Sequence, residues 1–148
     1  MSEGPEVHRI AGILTEEFGG SRIVAIDSRL KKAHAWIEEH PGLLEGKEIR
    51  RVYAAGKNLI WDLEDDIYFH MHLLMWGKIR TYSLRHRVEY DRSTRALIVS
   101  TTRQAVLSNV QVFNIGQGDP FEQILSLKEI GPDMCAVPFD RDLFLKRL

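Results

Sequence analysis

Four short stretches hold the side chains that could do chemistry. The first opens the chain, Met1-Ser2-Glu3-Gly4-Pro5-Glu6-Val7. Serine is small enough for Met1 to be removed, which exposes an α-amine on Ser2 with the carboxylate of Glu3 beside it. Such an amine has a reference pKa near ~8, so a useful fraction is neutral and nucleophilic at neutral pH. The second is Gly56-Lys57-Asn58-Leu59-Ile60, a lysine at a tight turn between strands. A turn projects the ammonium outward, which suits an anion such as phosphate; it equally suits a lysine that only keeps a hairpin soluble.

The third is Phe69-His70-Met71-His72-Leu73-Leu74-Met75-Trp76-Gly77. On a strand His70 and His72 share a face. Zinc needs three or four ligands, and no cysteine or carboxylate stands at a suitable spacing, so no metal is expected. His72 reads instead as a polar or phosphate contact. Met75 and Trp76 fall at a strand end, so at least one of them is expected at the surface. The fourth is Gln111-Val112-Phe113-Asn114, with Phe113 near the end of the last long strand. Exposed apolar side chains beside basic loops can wedge into a nucleic-acid stack. Arginines 80, 85, 87, 92, 95 and 103 could supply phosphate contacts, although such arginines are more often a solvated face.

These residues need elements to hold them. Pro5 suits a first helical position and Glu6 complements the helix dipole. Val7, Ile10, Ala11, Leu14 and Phe18 recur at helical spacing, and Gly19-Gly20 ends the helix. Arg22–Asp27 reads as a strand. Residues 30–48 are ambiguous, with a short helical or irregular piece around Trp36 and Ile37. Strands are then expected at 49–54, 58–63, 68–73, 77–82, 88–91, 96–101 and 105–113. Their short connections predict a mainly β, α+β fold, an antiparallel β-sandwich of short strands with an N-terminal helix and flanking helices. Asp119 is expected to cap a helix through Leu125, Gly131-Pro132-Asp133 to break the chain, and 140–148 to begin a further helix.

Composition sets the outer limits. The chain has 148 residues, 44% hydrophobic, which suits one globular domain. With 20 basic and 21 acidic residues its formal net charge is −1, so any nucleic-acid binding must use a local patch. The single cysteine, Cys135, allows no internal disulfide and fits a reducing cytoplasm. No apolar run has membrane-spanning length, and no membrane partner is expected.

Taken together, the opening Ser2-Glu3-Gly4-Pro5-Glu6-Val7, Gly56-Lys57, His72-Leu73-Leu74-Met75-Trp76-Gly77, Phe113 and the closing Ile130-Gly131-Pro132-Asp133 resemble the N-terminal domain of the formamidopyrimidine-DNA glycosylase / endonuclease VIII family. Their order agrees over essentially the whole chain. The resemblance implies a catalytic domain at 1–133, with 134–148 a linker and the start of a helix–two-turn–helix domain. It implies base-excision repair of oxidised bases, acting on double-stranded DNA that carries damaged bases or abasic sites. Ser2 would supply the attacking amine and Glu3 the proton-shuttling carboxylic acid, with Glu6 supporting the site. Lys57 and His72 would contact phosphate, and Met75, Gln111 and Phe113 would fill the gap left by a flipped nucleotide.

Two departures bear on that expectation. The family's usual nucleophile is proline, a secondary amine, whereas Ser2 offers a primary one; glutamine stands at 111 where arginine is expected. The family's zinc finger lies outside these 148 residues, so no cofactor is expected in this chain, and these residues alone predict weak DNA binding. The alternative is a non-catalytic DNA-binding or interaction module that keeps the fold.

Overall fold

The computed structural model describes residues 4–73 and 76–124. Helix α1 (Gly4–Phe18) leads into β1 (Ile23–Ser28), α2 (Lys31–Glu39), β2 (Ile49–Ala55), β3 (Asn58–Leu63) and β4 (Ile67–His72). There follow β5 (Lys78–Tyr82), β6 (Thr94–Ser100), β7 (Gln104–Ser108), β8 (Val112–Gln117) and a single turn of helix, α3 (Pro120–Gln123). All strand pairs are antiparallel, in two four-stranded sheets ordered β1-β6-β7-β5 and β2-β3-β4-β8. The expected sandwich with flanking helices is the observed one.

Alternation along the strands builds the space between the sheets. Leu59, Trp61 and Leu63 on β3, and Ile67, Phe69 and Met71 on β4, are all fully buried. They share one core with Ala96, Ile98, Ala105 and Leu107 of the other sheet. A chain of rings crosses it: Phe18 meets Trp61 edge-on at 5.1 Å, Trp61 lies 6.0 Å from Phe69, and Phe69 meets Phe113 edge-on at 5.7 Å.

The two helices close the open sides. Val7, Ala11, Leu14 and Phe18 of α1, the expected apolar stripe, are buried to 4% exposure or less. Thr15 does a second job at the free edge of β2, where its hydroxyl donates to Val52 O at 2.7 Å and accepts from Val52 N at 2.9 Å. The helix thereby satisfies backbone groups that an open strand edge would leave available for aggregation. On the far side α2 lies against β1 and β8, with Ala33 buried and Trp36 and Ile37 packed on the core.

Three expectations about elements are corrected. The single strand 105–113 is two strands in different sheets, because Asn109 takes a left-handed conformation at φ 55 and turns the chain between β7 and β8. Residues 88–91 form no strand. Asp91 Oδ1 instead accepts from Ser93 N and Thr94 N, at 2.8 and 3.2 Å, in a side-chain-closed turn. The helix capped by Asp119, whose Oδ1 accepts from Phe121 N at 2.9 Å, stops at Gln123, with Ile124 extended, rather than running through Leu125. The expectations for Ile130–Asp133, for the 133/134 boundary and for 140–148 lie outside the described residues.

Candidate nucleic-acid interface

Register places most of the singled-out residues at one end of the sandwich. Ala55 pairs with Asn58 across the β2–β3 turn, Asn58 with His72, and His72 with Val112, so Lys57, His72 and Gln111 share that end. The other sheet presents Lys78, Ser108 and Thr94 there, because the 73–77 and 109–111 connections are short. The first turns of α1 reach the same place: Glu6 and Arg9 line a groove with Leu73, Gly77 and Lys78. Ser2, Glu3 and Met75 lie outside the described residues.

Two glycines make this end possible. Gly56 takes φ 62 at the first central position of a two-residue hairpin turn, where the favoured turns demand a positive φ. Lys57, next to it, is exposed and has no carboxylate within ion-pair distance among the described residues. Gly77 closes the 73–77 turn with Gly77 N donating to Leu73 O at 2.8 Å. A Cβ on Gly77 would collide with that same carbonyl, so only glycine fits.

Beneath Lys57 lies a buried polar relay. Asn58 Nδ2 donates to Ala55 O at 3.1 Å, Asn58 Oδ1 accepts from His70 Nε2 at 2.8 Å, and His70 Nδ1 accepts from Asn114 Nδ2 at 3.0 Å. This pattern requires a neutral imidazole with its proton on Nε2. Burial, and secondarily the neighbouring His72, push His70 down to about 4, which keeps it neutral. His70 is thus a strut between the lysine hairpin and the strand that follows Gln111, and both its nitrogens are engaged. His72, half-buried, is pushed below the ordinary histidine range by burial and then by the ammonium of Lys57. Lys57 therefore carries the positive charge at this end, and His72 beside it is a neutral imidazole.

The aromatic expectations divide. Phe113 is 2% exposed and packs edge-on against Phe69, so the expectation of an exposed wedge at 113 is corrected: inward alternation on β8 turns this ring into the core. Trp76 is instead the outward ring, 68% exposed. With Arg95, Asn109 and the exposed Gln111 it lines a depression of about 240 Å³. Its position before Gly77, at a strand end, was the available signal. Arg103 is also corrected: it pairs with Glu17 at 2.8 Å and donates to Thr81 at 3.2 Å, serving the α1 interface at the opposite end. Among the described residues no three histidine, cysteine, aspartate or glutamate side chains cluster as metal ligands.

An antiparallel sandwich closed by two helices, with basic and aromatic groups gathered at the end where α1 begins, defines the class. Residues 1–114 match the family described as the formamidopyrimidine-DNA glycosylase N-terminal domain, and the chain belongs to that family. It is 28% identical over its whole length to a formamidopyrimidine-DNA glycosylase of Lactococcus lactis subsp. lactis and 23% identical to an endonuclease 8 of Pectobacterium carotovorum. It spans about half the length of these curated relatives, 55% in both cases. Among solved structures it is similar to the Lactococcus lactis formamidopyrimidine-DNA glycosylase non-covalently bound to DNA containing an AP site. The TM-score is 0.74 at 25% identity, covering 98% of this chain and 56% of that one. A MutM complex with DNA containing carbocyclic 8-oxo-G shares the fold at a TM-score of 0.73 and 24% identity, covering 98% of this chain and 56% of that one.

Proposed function

We propose that this protein is a DNA glycosylase/AP lyase of base-excision repair, acting on double-stranded DNA with oxidised bases or abasic sites. The observation that carries the reading is the convergence of the α1 start, Lys57, His72 and Gln111 on one end of the sandwich. Support comes from family membership and from relatives named as glycosylases. The α-amine of Ser2, freed by Met1 removal, stands two residues before Gly4, and two residues of chain reach no further than about 7 Å. The amine is therefore tethered to the end that carries the phosphate-binding groups.

In this reading the Ser2 nitrogen bonds to C1′ as the glycosidic bond breaks and the base leaves. Glu3, as the acid, protonates the sugar ring oxygen so that the ring opens to an imine. Loss of a C2′ proton then expels the 3′ phosphate, and water hydrolyses the imine to return the amine. Lys57 and His72 hold phosphates beside the lesion. Trp76 and Gln111 occupy the gap left by the extruded nucleotide, for which an exposed ring is suited and a buried Phe113 is not. Its place of work is the cell's DNA, in the cytoplasm or nucleoid of a bacterium such as its relatives come from.

The test is borohydride trapping of the protein at its native full length on abasic-site DNA, after intact mass has established loss of Met1. A covalent adduct at Ser2 that disappears in Glu3→Gln is the expected result. The second reading, a DNA-binding module without chemistry, is favoured by the primary amine of Ser2 in place of proline. Full-length protein lacking Met1 that binds the DNA and yields no adduct would establish it instead.

A further inference from the structure

The strongest unassigned feature lies on the outer face of β5 and β7. Lys78 and Arg80 alternate along β5, opposite Ser108 and Val106 of β7. The segment between β5 and β6 runs back over this face as a strap fastened at both ends. At one end Gln104 Nε2 donates to Ser83 O and His86 O at 2.8 and 2.7 Å, and the His86 ring stacks on Tyr82 at 4.2 Å. At the other, Arg29 Nη1 donates to Asp91 O at 2.9 Å and its guanidinium covers the Tyr90 ring at 4.8 Å. Between the fastenings the strap encloses a groove of about 460 Å³, into which Lys78, Arg80, His86 and Arg87 face from strand and strap.

The groove's charge is unbalanced. Lys78, Arg80 and Arg87 have no carboxylate within ion-pair distance among the described residues. Two acids stand on its wall, Glu89 and Asp91; Ser93 and Thr94 hold the Asp91 carboxyl below the usual range, which keeps it ionised, so three cations face two anions. Asn109 lines both this groove and the depression around Trp76 and Gln111, so the two form one continuous surface.

We infer that the strap groove is a second DNA-binding site, in which Lys78, Arg80 and Arg87 take the phosphodiester backbone of duplex flanking the lesion. This rests on the repair reading and extends the DNA footprint beyond Asn109. A groove with both ends of its strap fastened is ordered before DNA arrives, so little ordering entropy opposes binding. Each phosphate neutralised by a cation releases counterions and steepens the salt dependence of affinity.

The test is the affinity of the full-length protein for a duplex containing a tetrahydrofuran abasic-site analogue, measured across a salt series. The Lys78→Gln/Arg80→Gln/Arg87→Gln variant should bind at least tenfold more weakly at low salt, with a salt slope shallower by about 2 to 3. Glu89→Gln should tighten binding. A control removes three cations at the opposite end, Arg22→Gln/Lys47→Gln/Arg50→Gln, and should keep the wild-type slope. Equal losses in both triple variants, or no loss in the first, would overturn the groove while leaving the repair reading intact. A wild-type protein that neither binds nor is trapped on abasic DNA would overturn both.

Discussion

The two ends of this sandwich carry similar residues and use them in opposite ways. Near the β3–β4 turn, Arg22 lies 3.4 Å from Glu64, Lys47 is paired with Asp65, and Arg103 with Glu17. At the other end Lys57 and Lys78, and along the strap groove Arg80 and Arg87, face solvent or a groove without a carboxylate partner among the described residues. The formal net charge of −1 conceals this polarity. A partner made of phosphates responds to the local field within a Debye length, about 8 Å at physiological salt, and not to the sum over the chain. The same contrast holds for the aromatic residues: Phe113 is a core ring and Trp76 a surface one.

The contrast can be attacked from both sides. Phe113→Ala and Phe18→Ala remove fully packed rings, and each should cost about 3–5 kcal/mol of unfolding free energy in urea titrations. If Phe113→Ala left stability unchanged and only weakened DNA binding, the division between Phe113 and Trp76 would collapse. The next effect is on pH. An unfolded histidine titrates near ~6.5, whereas His70 in the fold titrates at about 4. Between these values the unfolded chain binds a proton that the native one refuses. Stability should therefore fall as pH drops through that window and level off below it, by about 3 kcal/mol. His72 and His8, both lowered by burial, act in the same direction. His70→Gln should flatten the profile measured by thermal unfolding; an unaltered profile would mean that His70 does not carry it.

Smaller effects belong to the surface. Trp76→Ala should weaken affinity for abasic-site duplex by about 1–3 kcal/mol, the range for one base–aromatic stack, with Tm unchanged. Equal binding by this variant in fluorescence anisotropy would remove Trp76 from the interface. Arg22→Gln breaks an exposed pair and should alter stability by less than about 1 kcal/mol and DNA affinity not at all. A measurable loss of affinity there would erase the distinction between the two ends.

Much of this was legible in the order of residues. The apolar stripe of α1, its glycine stop, the β2–β3 hairpin at Gly56-Lys57 and the short antiparallel strands follow from periodicity and turn chemistry, which act over a few residues. The α2 segment was ambiguous because its N-cap residue, Leu30, offers no side-chain cap; contact with β1 and β8 supports it. The apolar run 105–113 looked like one strand because alternation carries no mark of which sheet a residue joins. Asn109 at φ 55 supplies that mark only in three dimensions. Residues 88–91 have strand-like composition, but among the described residues no neighbouring strand pairs with them.

The sequence by itself determined the family, the architecture and the identity of the groups available for chemistry, because local periodicity and ordered motifs need no knowledge of distant contacts. Tertiary structure alone decided which of two aromatic residues faces outward, that His70 is a neutral strut, and which cations are already paired. Those are properties of segments far apart in the chain: Arg103 is quenched by a glutamate 86 positions earlier, and Phe113 is buried by a ring 44 positions away. Exposure and charge pairing arise only when the sheets close on one another, and in this protein they separate an end whose cations are paired from an end where Lys57 and Lys78 have no carboxylate partner among the described residues.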